Sequence, residues 1–314
     1  MAYFGAVDIG GTKIAVGIGT QDGNLLVSGR FPTPKDDAQT AMDMIAHQFE
    51  SLSQQVGIEV EKLSVIGVGT PGPLAGTQLL KTANLPKWEG IDLAAGLSMR
   101  LGVGVAVQND ATSAGLAEWY YGAGQGTKDM VYITVSTGIG GGIVAGGRVL
   151  GGVQGNAGEV GHLVIERHGP TCQCGNQGCL EALASGTAIG RLGQIRQADS
   201  PYLKNMKREN ITAATVFAGA KAEDLTCQNI VDQTAEYLGL GVGYLINLFN
   251  PERVVMGGGV MAHAGQEFLN RISQWAKSYA MPVLYEACSL HLAQLGDDSG
   301  LIGALAVAMQ GLAK

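Results

Sequence analysis

Two rhythms of hydrophobic residues run along this chain, and their order repeats. Apolar runs at Tyr3–Ile9, Thr12–Ile18 and Asn24–Val27 are divided by Gly10-Gly11 and Asp22-Gly23. Short apolar runs separated in this way predict the strands of an antiparallel meander. Over Thr40–Val56, Met44, Ile45, Phe49 and Leu52 recur at helical spacing, and an apolar strand, Ser64–Val68, follows. A further strand, Val103–Val107, ends at Gln108-Asn109-Asp110 and leads into a helical run, Ala111–Tyr121. The order then restarts. Met130–Val135 and Ile139–Val144 predict a hairpin around Ser136-Thr137-Gly138, built like the first: a strand breaks into a polar, glycine-rich turn and returns. A helix from about Ile230 to Phe249 carries Leu238, Val242, Leu245 and Phe249 at helical spacing. Strand Arg253–Met256, the Gly257-Gly258-Gly259 turn and a last helix, Leu301–Gln310, complete an α/β pattern in two halves.

A length of 314 residues suffices for a large core and for two domains. Hydrophobic residues at 46% and charged residues at 15% exclude a disordered chain. The net charge of −7, with no run of Lys or Arg, argues against a nucleic-acid partner. The N-terminal residues lack the basic start and cleavage pattern of a signal peptide. No apolar run reaches bilayer-spanning length, so the expectation is a cytoplasmic protein without a membrane partner. Glycine is the outlying residue type, with 49 copies, about twice the usual share of roughly 7%. The glycines gather after apolar runs, at Gly10-Gly11, Gly138 with Gly140-Gly141-Gly142, Gly151-Gly152, and Gly257-Gly258-Gly259. There, backbone N–H groups can approach an anion closely. Several such loops point to a polyphosphate gripped from more than one side.

The densest chemistry lies between Gly158 and Glu181. Three of the five cysteines, Cys172, Cys174 and Cys179, follow His162 within this stretch. Three thiolates and one imidazole fill a closed tetrahedral Zn²⁺ site. Gly175 and Gly178 let the loop turn tightly enough to aim three sulfurs at one point. Buried thiols without metal are the plain alternative, and His168, four residues before Cys172, is a rival ligand. An odd cysteine count without an export signal argues against disulfides. Glu159 and Glu181 bracket the cluster, and carboxylates add little to a filled structural zinc site, so they suggest a polar ligand beside the metal.

Two other stretches carry candidate chemistry. In Asp8-Ile9-Gly10-Gly11-Thr12-Lys13 the turn N–H groups and the Thr12 hydroxyl can face a phosphoryl group. Asp8 would hold Mg²⁺ through water. Thr137 and Gly138 occupy the matching turn. An ordinary hairpin turn uses the same residues, and Lys13 lacks the spacing of a P-loop lysine. Asn109-Asp110 stands where a strand ends. Asp110 can accept the proton of an attacking hydroxyl, while either residue can simply cap the following helix.

Glu-x-Gly-His at 159–162, followed by Cys-x-Cys-Gly-x-x-Gly-Cys-x-Glu at 172–181, resembles the signature of the ROK family of bacterial sugar kinases and sugar-responsive repressors. The duplicated hairpins resemble the wider actin/hexokinase/Hsp70 superfamily. That resemblance implies two actin/hexokinase-like (RNase H-like) α/β domains, an interdomain cleft where nucleotide and sugar meet, and a zinc-binding loop. Residues 1–115 with 299–314 would form the small domain. Residues 116–298 would form the large one, with the zinc loop and a dimer surface, and the C-terminal helix would pack back on the first half. It further implies Asp110 as catalytic base and Gly72, Asn84, Asn109, Glu159, His162 and Glu181 as sugar contacts. One His162 nitrogen would bind zinc and the other the sugar, while Gly257, Gly258 and Gly259 would flank the adenosine.

The implied activity is ATP-dependent phosphorylation of a hexose, most like a glucokinase acting on the 6-hydroxyl of glucose. ATP, Mg²⁺ and Zn²⁺ would be its cofactors, and its assembly a homodimer or a dimer of dimers. N-acetylmannosamine, N-acetylglucosamine and fructose are alternative substrates, and polyphosphate an alternative donor. A sugar-responsive repressor is the alternative of another class. Such a protein carries a helix-turn-helix segment before the first hairpin, which here begins at Tyr3, and the acidic balance does not suit DNA.

Overall fold

A computed structural model describes residues 2–82 and 84–312; Met1, Ala83, Ala313 and Lys314 lie outside the described residues. The chain divides into two compact units. Unit 1 comprises residues 1–126, 149–158 and 294–314, and unit 2 residues 127–148 and 159–293.

In unit 1, β1 (Tyr3–Ile9), β2 (Lys13–Thr20) and β3 (Leu25–Pro32) form the expected antiparallel meander. Val7 pairs with Val16 and Asp8 with Ala15. Helix α1 (Ala38–Val56) starts at Asp37, whose side chain accepts the N–H groups of Gln39 and Thr40, and it ends at Gly57. Strand β4 (Ile66–Thr70) then pairs parallel with β1. A two-residue ribbon, β5 (Leu74–Ala75) with β6 (Gln78–Leu79), precedes α2 (Leu93–Leu101). Strand β7 (Val105–Asn109) completes the order β3-β2-β1-β4-β7, and α3 (Asp110–Tyr121) leaves its end.

Unit 2 repeats that plan. Strands β8 (Met130–Val135), β9 (Ile139–Ala145) and β10 (Arg148–Val149) are its meander. Helices α4 (Leu180–Ala184), α5 (Gly186–Ile195), α6 (Ala213–Lys221) and α7 (Leu225–Phe249) intervene. Strand β11 (Arg253–Gly257), helices α8 (Gly259–Tyr279) and α9 (Pro282–Glu286), and strand β12 (Ser289–Leu292) follow. The strand order is β10-β9-β8-β11-β12, with β11 parallel to both β8 and β12. Each unit therefore adds two parallel strands to a three-stranded meander. The turn after β4 in unit 1 is the topological counterpart of the Gly257–Gly259 turn after β11.

The chain's last helix, α10 (Ser299–Leu312), lies on the unit 1 sheet, where Leu301, Ala304, Leu305 and Ala308 cluster with Phe4, Ala6 and Ala15. Contact is backbone to backbone: a Cβ on Gly67 of β4 would lie 1.9 Å from the Ala304 carbonyl oxygen. A separate core fills unit 2, with Ile133, Val135, Ile230, Leu238, Val254 and Met256 buried in one cluster. No helix among the described residues is long and apolar enough to cross a membrane.

Candidate active site

In unit 2, the 159–181 stretch folds into a tight loop. The N–H of Cys172 donates to the Asn176 carbonyl at 2.8 Å, and that of Gly178 to the Pro170 carbonyl at 2.8 Å. Gly178 has φ 71°, and a Cβ there would lie 1.6 Å from the Glu166 carbonyl oxygen, so no side chain fits. The loop brings His162, Cys172, Cys174 and Cys179 together, with one donor atom from each within 4.8 Å of the others. Cys172 Sγ lies 3.7 Å from His162 Nδ1, and Cys174 Sγ lies 3.7 Å from Cys179 Sγ. A tetrahedron with Zn–S bonds of about 2.3 Å separates its ligand atoms by about 3.8 Å, so the donor set fits Zn²⁺. His168 is exposed and outside this group.

Burial pushes the Cys172 thiol up, and it pushes Cys179 up to about 12. Cys174 is exposed, and a bond from the Asn176 backbone lowers it. Metal binding must therefore displace protons from the two buried thiols.

Once His162 Nδ1 faces the sulfurs, its Nε2 lies 3.9 Å from Glu159 Oε2. Glu159 keeps 45% side-chain exposure, yet its carboxyl is raised above the ordinary value. Loss of hydration in the loop is the main cause; the Glu181 charge adds to it and His162 opposes it. Glu181, on the first turn of α4, turns toward the β8–β9 hairpin, where its Oε2 accepts the Ile139 N–H at 2.8 Å.

Beside that hairpin unit 2 has a cavity of about 550 Å³, within the range of small-molecule sites. Ser136, Thr137, Gly186 and Thr187 line one part, and Phe217, Val260 and Ile211 supply apolar wall. Arg191, Glu209 and His263 add polar groups. Of the glycine triplet, Gly259 lines the cavity at the start of α8. Gly257 is buried, and Gly258, at φ 89°, leaves no room for a Cβ, which would sit 2.4 Å from the Val135 carbonyl oxygen. The triplet thus packs onto the hairpin and presents only its last member to the cavity.

In unit 1 the β1–β2 turn is closed by the Gly10 N–H donating to the Lys13 carbonyl at 2.9 Å. The turn can therefore offer an anion the N–H groups of Gly11 and Thr12 rather than that of Gly10. In the matching hairpin the Ser136 N–H is likewise spent on the Gly138 carbonyl, which points to Thr137 and Gly138 as donors. Thr12 and Lys13 are exposed. Asp8 is half-buried at the end of β1, and burial raises its carboxyl against the opposing pull of Lys13. Asn84 lies against Gly11, where an added Cβ would stand 3.2 Å from its own.

Asn109 and Asp110 have separate positions. Asn109 is the N-cap of α3, its Oδ1 accepting the N–H groups of Ala111 at 2.9 Å and Thr112 at 3.2 Å. Its Nδ2 donates to the Gly72 carbonyl at 3.4 Å, which ties the loop after β4 to the end of β7. Asp110 is the exposed first helical residue, with Oδ1 accepting the Ala111 N–H at 2.8 Å. Asn156 fastens the same loop, its Oδ1 and Nδ2 bonding to the N–H and carbonyl of Leu74 at 2.8 and 2.7 Å. Sequence reasoning missed Asn156, Thr187, Arg191, Glu209 and His263. Thr187 and Arg191 stand one turn apart on α5, a helix the hydrophobic pattern did not single out, while Asn156, Glu209 and His263 come from separate elements that no spacing rule connects.

A profile of the ROK family matches residues 4–311. The chain belongs to the ROK family. Within it, the glucokinase of Halalkalibacterium halodurans is 37% identical over 96% of this chain and 93% of its own length. The ROK hexokinase of Thermus thermophilus superposes with a TM-score of 0.87 and 36% identity, covering 99% of each chain. A ROK glucokinase of Streptomyces griseus, solved in complex with glucose and AMPPNP, has a TM-score of 0.81 and 31% identity, covering 99% of this chain and 100% of that one. A xylose repressor of Caldicellulosiruptor bescii is 30% identical over 77% of this chain but 61% of its own length. The kinases thus match the chain end to end, and it is a sugar kinase of the ROK family.

Proposed function

We propose that this ROK sugar kinase transfers the γ-phosphoryl group of ATP to a hexose, that glucose is the preferred acceptor through its 6-hydroxyl, and that Asp110 is the general base. The observation that carries the sugar assignment is the orientation of His162. Nδ1 faces the thiol cluster, and Nε2 is left beside the Glu159 carboxylate. A ring fixed on one side and paired with a carboxylate on the other suits adjacent sugar hydroxyls, which need both donors and acceptors. Zn²⁺ on His162, Cys172, Cys174 and Cys179 would hold that ring at a constant angle.

Asp110 fits the base because it stands exposed just past the end of β7, while the N-cap role falls to Asn109, whose Oδ1 takes the Ala111 and Thr112 N–H groups. In the reaction Asp110 takes the hydroxyl proton, the sugar oxygen forms a bond to the γ-phosphorus, and the bond to the bridging oxygen breaks to release ADP. In this reading each unit offers its own turn to phosphate, unit 1 through the N–H groups of Gly11 and Thr12 and unit 2 through those of Thr137 and Gly138. Mg²⁺ held through Asp8 would neutralise phosphate charge when bound. The unit 2 cavity takes the adenosine, with Phe217 and Ile211 against the base. The enzyme is read as cytoplasmic and a homodimer or dimer of dimers, which sedimentation of the purified protein tests.

A coupled assay of the zinc-replete protein with ATP and Mg²⁺ across glucose, mannose, fructose and the two N-acetylhexosamines tests the assignment. A polyphosphate arm tests the donor. Glucose is expected to have the highest kcat/KM. A higher value for an N-acetylhexosamine overturns glucose, and no turnover with any sugar overturns the kinase reading.

A further inference from the structure

The segment that leaves the thiol loop does more than end it. From Glu181 to Thr187 it is bonded repeatedly to the β8–β9 turn. Ile139 N–H donates to Glu181 Oε2 at 2.8 Å. Gly186 N–H donates to the Ser136 carbonyl at 2.7 Å, and Thr187 N–H to the Thr137 carbonyl at 3.3 Å. The Thr187 hydroxyl donates to that same Thr137 carbonyl at 2.8 Å. There is no slack in the joint: a Cβ on Gly138 would lie 2.4 Å from Glu181 Oε2, and one on Gly186 2.7 Å from the Ser136 carbonyl oxygen. Ser136, Thr137, Gly186 and Thr187 all line the cavity. Its hairpin wall is therefore held in shape by the continuation of the sugar-side loop.

Ser136 and Thr137 are exposed at the tip of a glycine-rich turn, and such a turn left to itself samples many conformations. Ordering it in advance removes a cost that nucleotide binding would otherwise incur. We propose that Glu181 and Thr187 are positioning residues for the nucleotide, holding the Ser136–Ile139 turn in the conformation that receives phosphate, so that a carboxylate assigned to the sugar also sets nucleotide affinity. The proposal rests on the reading that this cavity takes the nucleotide.

The test uses full-length, zinc-replete protein and isothermal titration with a non-hydrolysable ATP analogue, and separately with glucose. Zinc content and melting midpoint are recorded for each variant. Thr187→Val removes the hydroxyl bond and keeps the shape; it is expected to weaken the analogue about two- to tenfold while leaving glucose affinity unchanged, and Thr187→Ser to restore it. Glu181→Gln keeps an oxygen for the Ile139 N–H, so it is expected to weaken glucose alone, whereas Glu181→Ala weakens both ligands. A general structural role would instead move both ligands together in the Thr187 variants. Analogue binding by Thr187→Val equal to wild type, or loss of glucose affinity alone in Glu181→Ala, overturns the proposal. A wild-type protein that binds no analogue takes down the nucleotide reading and this proposal together.

Discussion

Asn109 and Asp110 are similar in shape, one an amide and the other a carboxylate, and the backbone gives them different positions. Asn109 ends β7 with its side chain turned to the N–H groups of α3, while Asp110 starts the helix. Asp110→Asn is expected to lower kcat by about 10²–10⁴ with glucose affinity intact; turnover near wild type would remove it as the base. Glu159→Gln is expected to raise the glucose KM about 10-fold or more, since the lost bond is charge-assisted, with zinc still bound. Zinc content and KM measured on one preparation separate that outcome from a ligand role. Asp8 supplies a pH prediction. Its folded pKa is raised, chiefly by burial, above the ordinary 3.8. Between those two values the folded chain holds a proton the unfolded chain has lost, so stability falls as pH rises through that window and stays lower above it. Asp8→Asn should therefore raise the denaturation midpoint of the metal-free protein at neutral pH while increasing the Mg²⁺ needed for turnover. A midpoint that drops would show the charge to be welcome where it stands.

At the scale of elements, strands with apolar cores lay close to the surface of the sequence. Tyr3–Ile9 and Met130–Val135 stand where the hydrophobic runs predict them. Strand β3 was expected over Asn24–Val27 and extends to Pro32 because it pairs along β2 as far as Lys13. The stretch Ser28-Gly29-Arg30, which separates Val27 from Phe31, carries little apolar signal of its own. Helix α8 did not stand out in the sequence: it begins in a glycine run and is interrupted at Gly265, where φ is 72°. That the last helix packs on the first half was implied by the resemblance, but its landing on β4 through the missing side chain at Gly67 was visible only in the folded chain. Gly67→Ala should cost about 1–3 kcal/mol or more, since the added carbon meets backbone that cannot rotate away. Chemical denaturation that left the midpoint unchanged would contradict so close an approach.

For the molecule as a whole, the repeated plan separates two cores and puts the candidate zinc cluster in the unit of one of them. Chelating zinc is expected to release one ion per chain and to speed hydrogen exchange around residues 160–185, with the strands of unit 1 still protected. Early loss of protection across β1, β2 and β4 would mean that the metal supports the entire fold. What the sequence determined by itself was chemistry carried by short spacing. Cysteines and glycines within one loop dictate which sulfurs can meet, and alternation or helical spacing dictates which face of an element is buried. The repeat of the meander and its glycine-rich turn was legible for the same reason. Only the tertiary structure decided which N–H groups each turn retains for a ligand, which glycine of the Gly257–Gly259 triplet reaches the cavity, and that Glu181 leans on Ile139. Those outcomes depend on contacts between residues tens of positions apart, whose meeting is set by the packing of whole elements and leaves no local pattern in the chain.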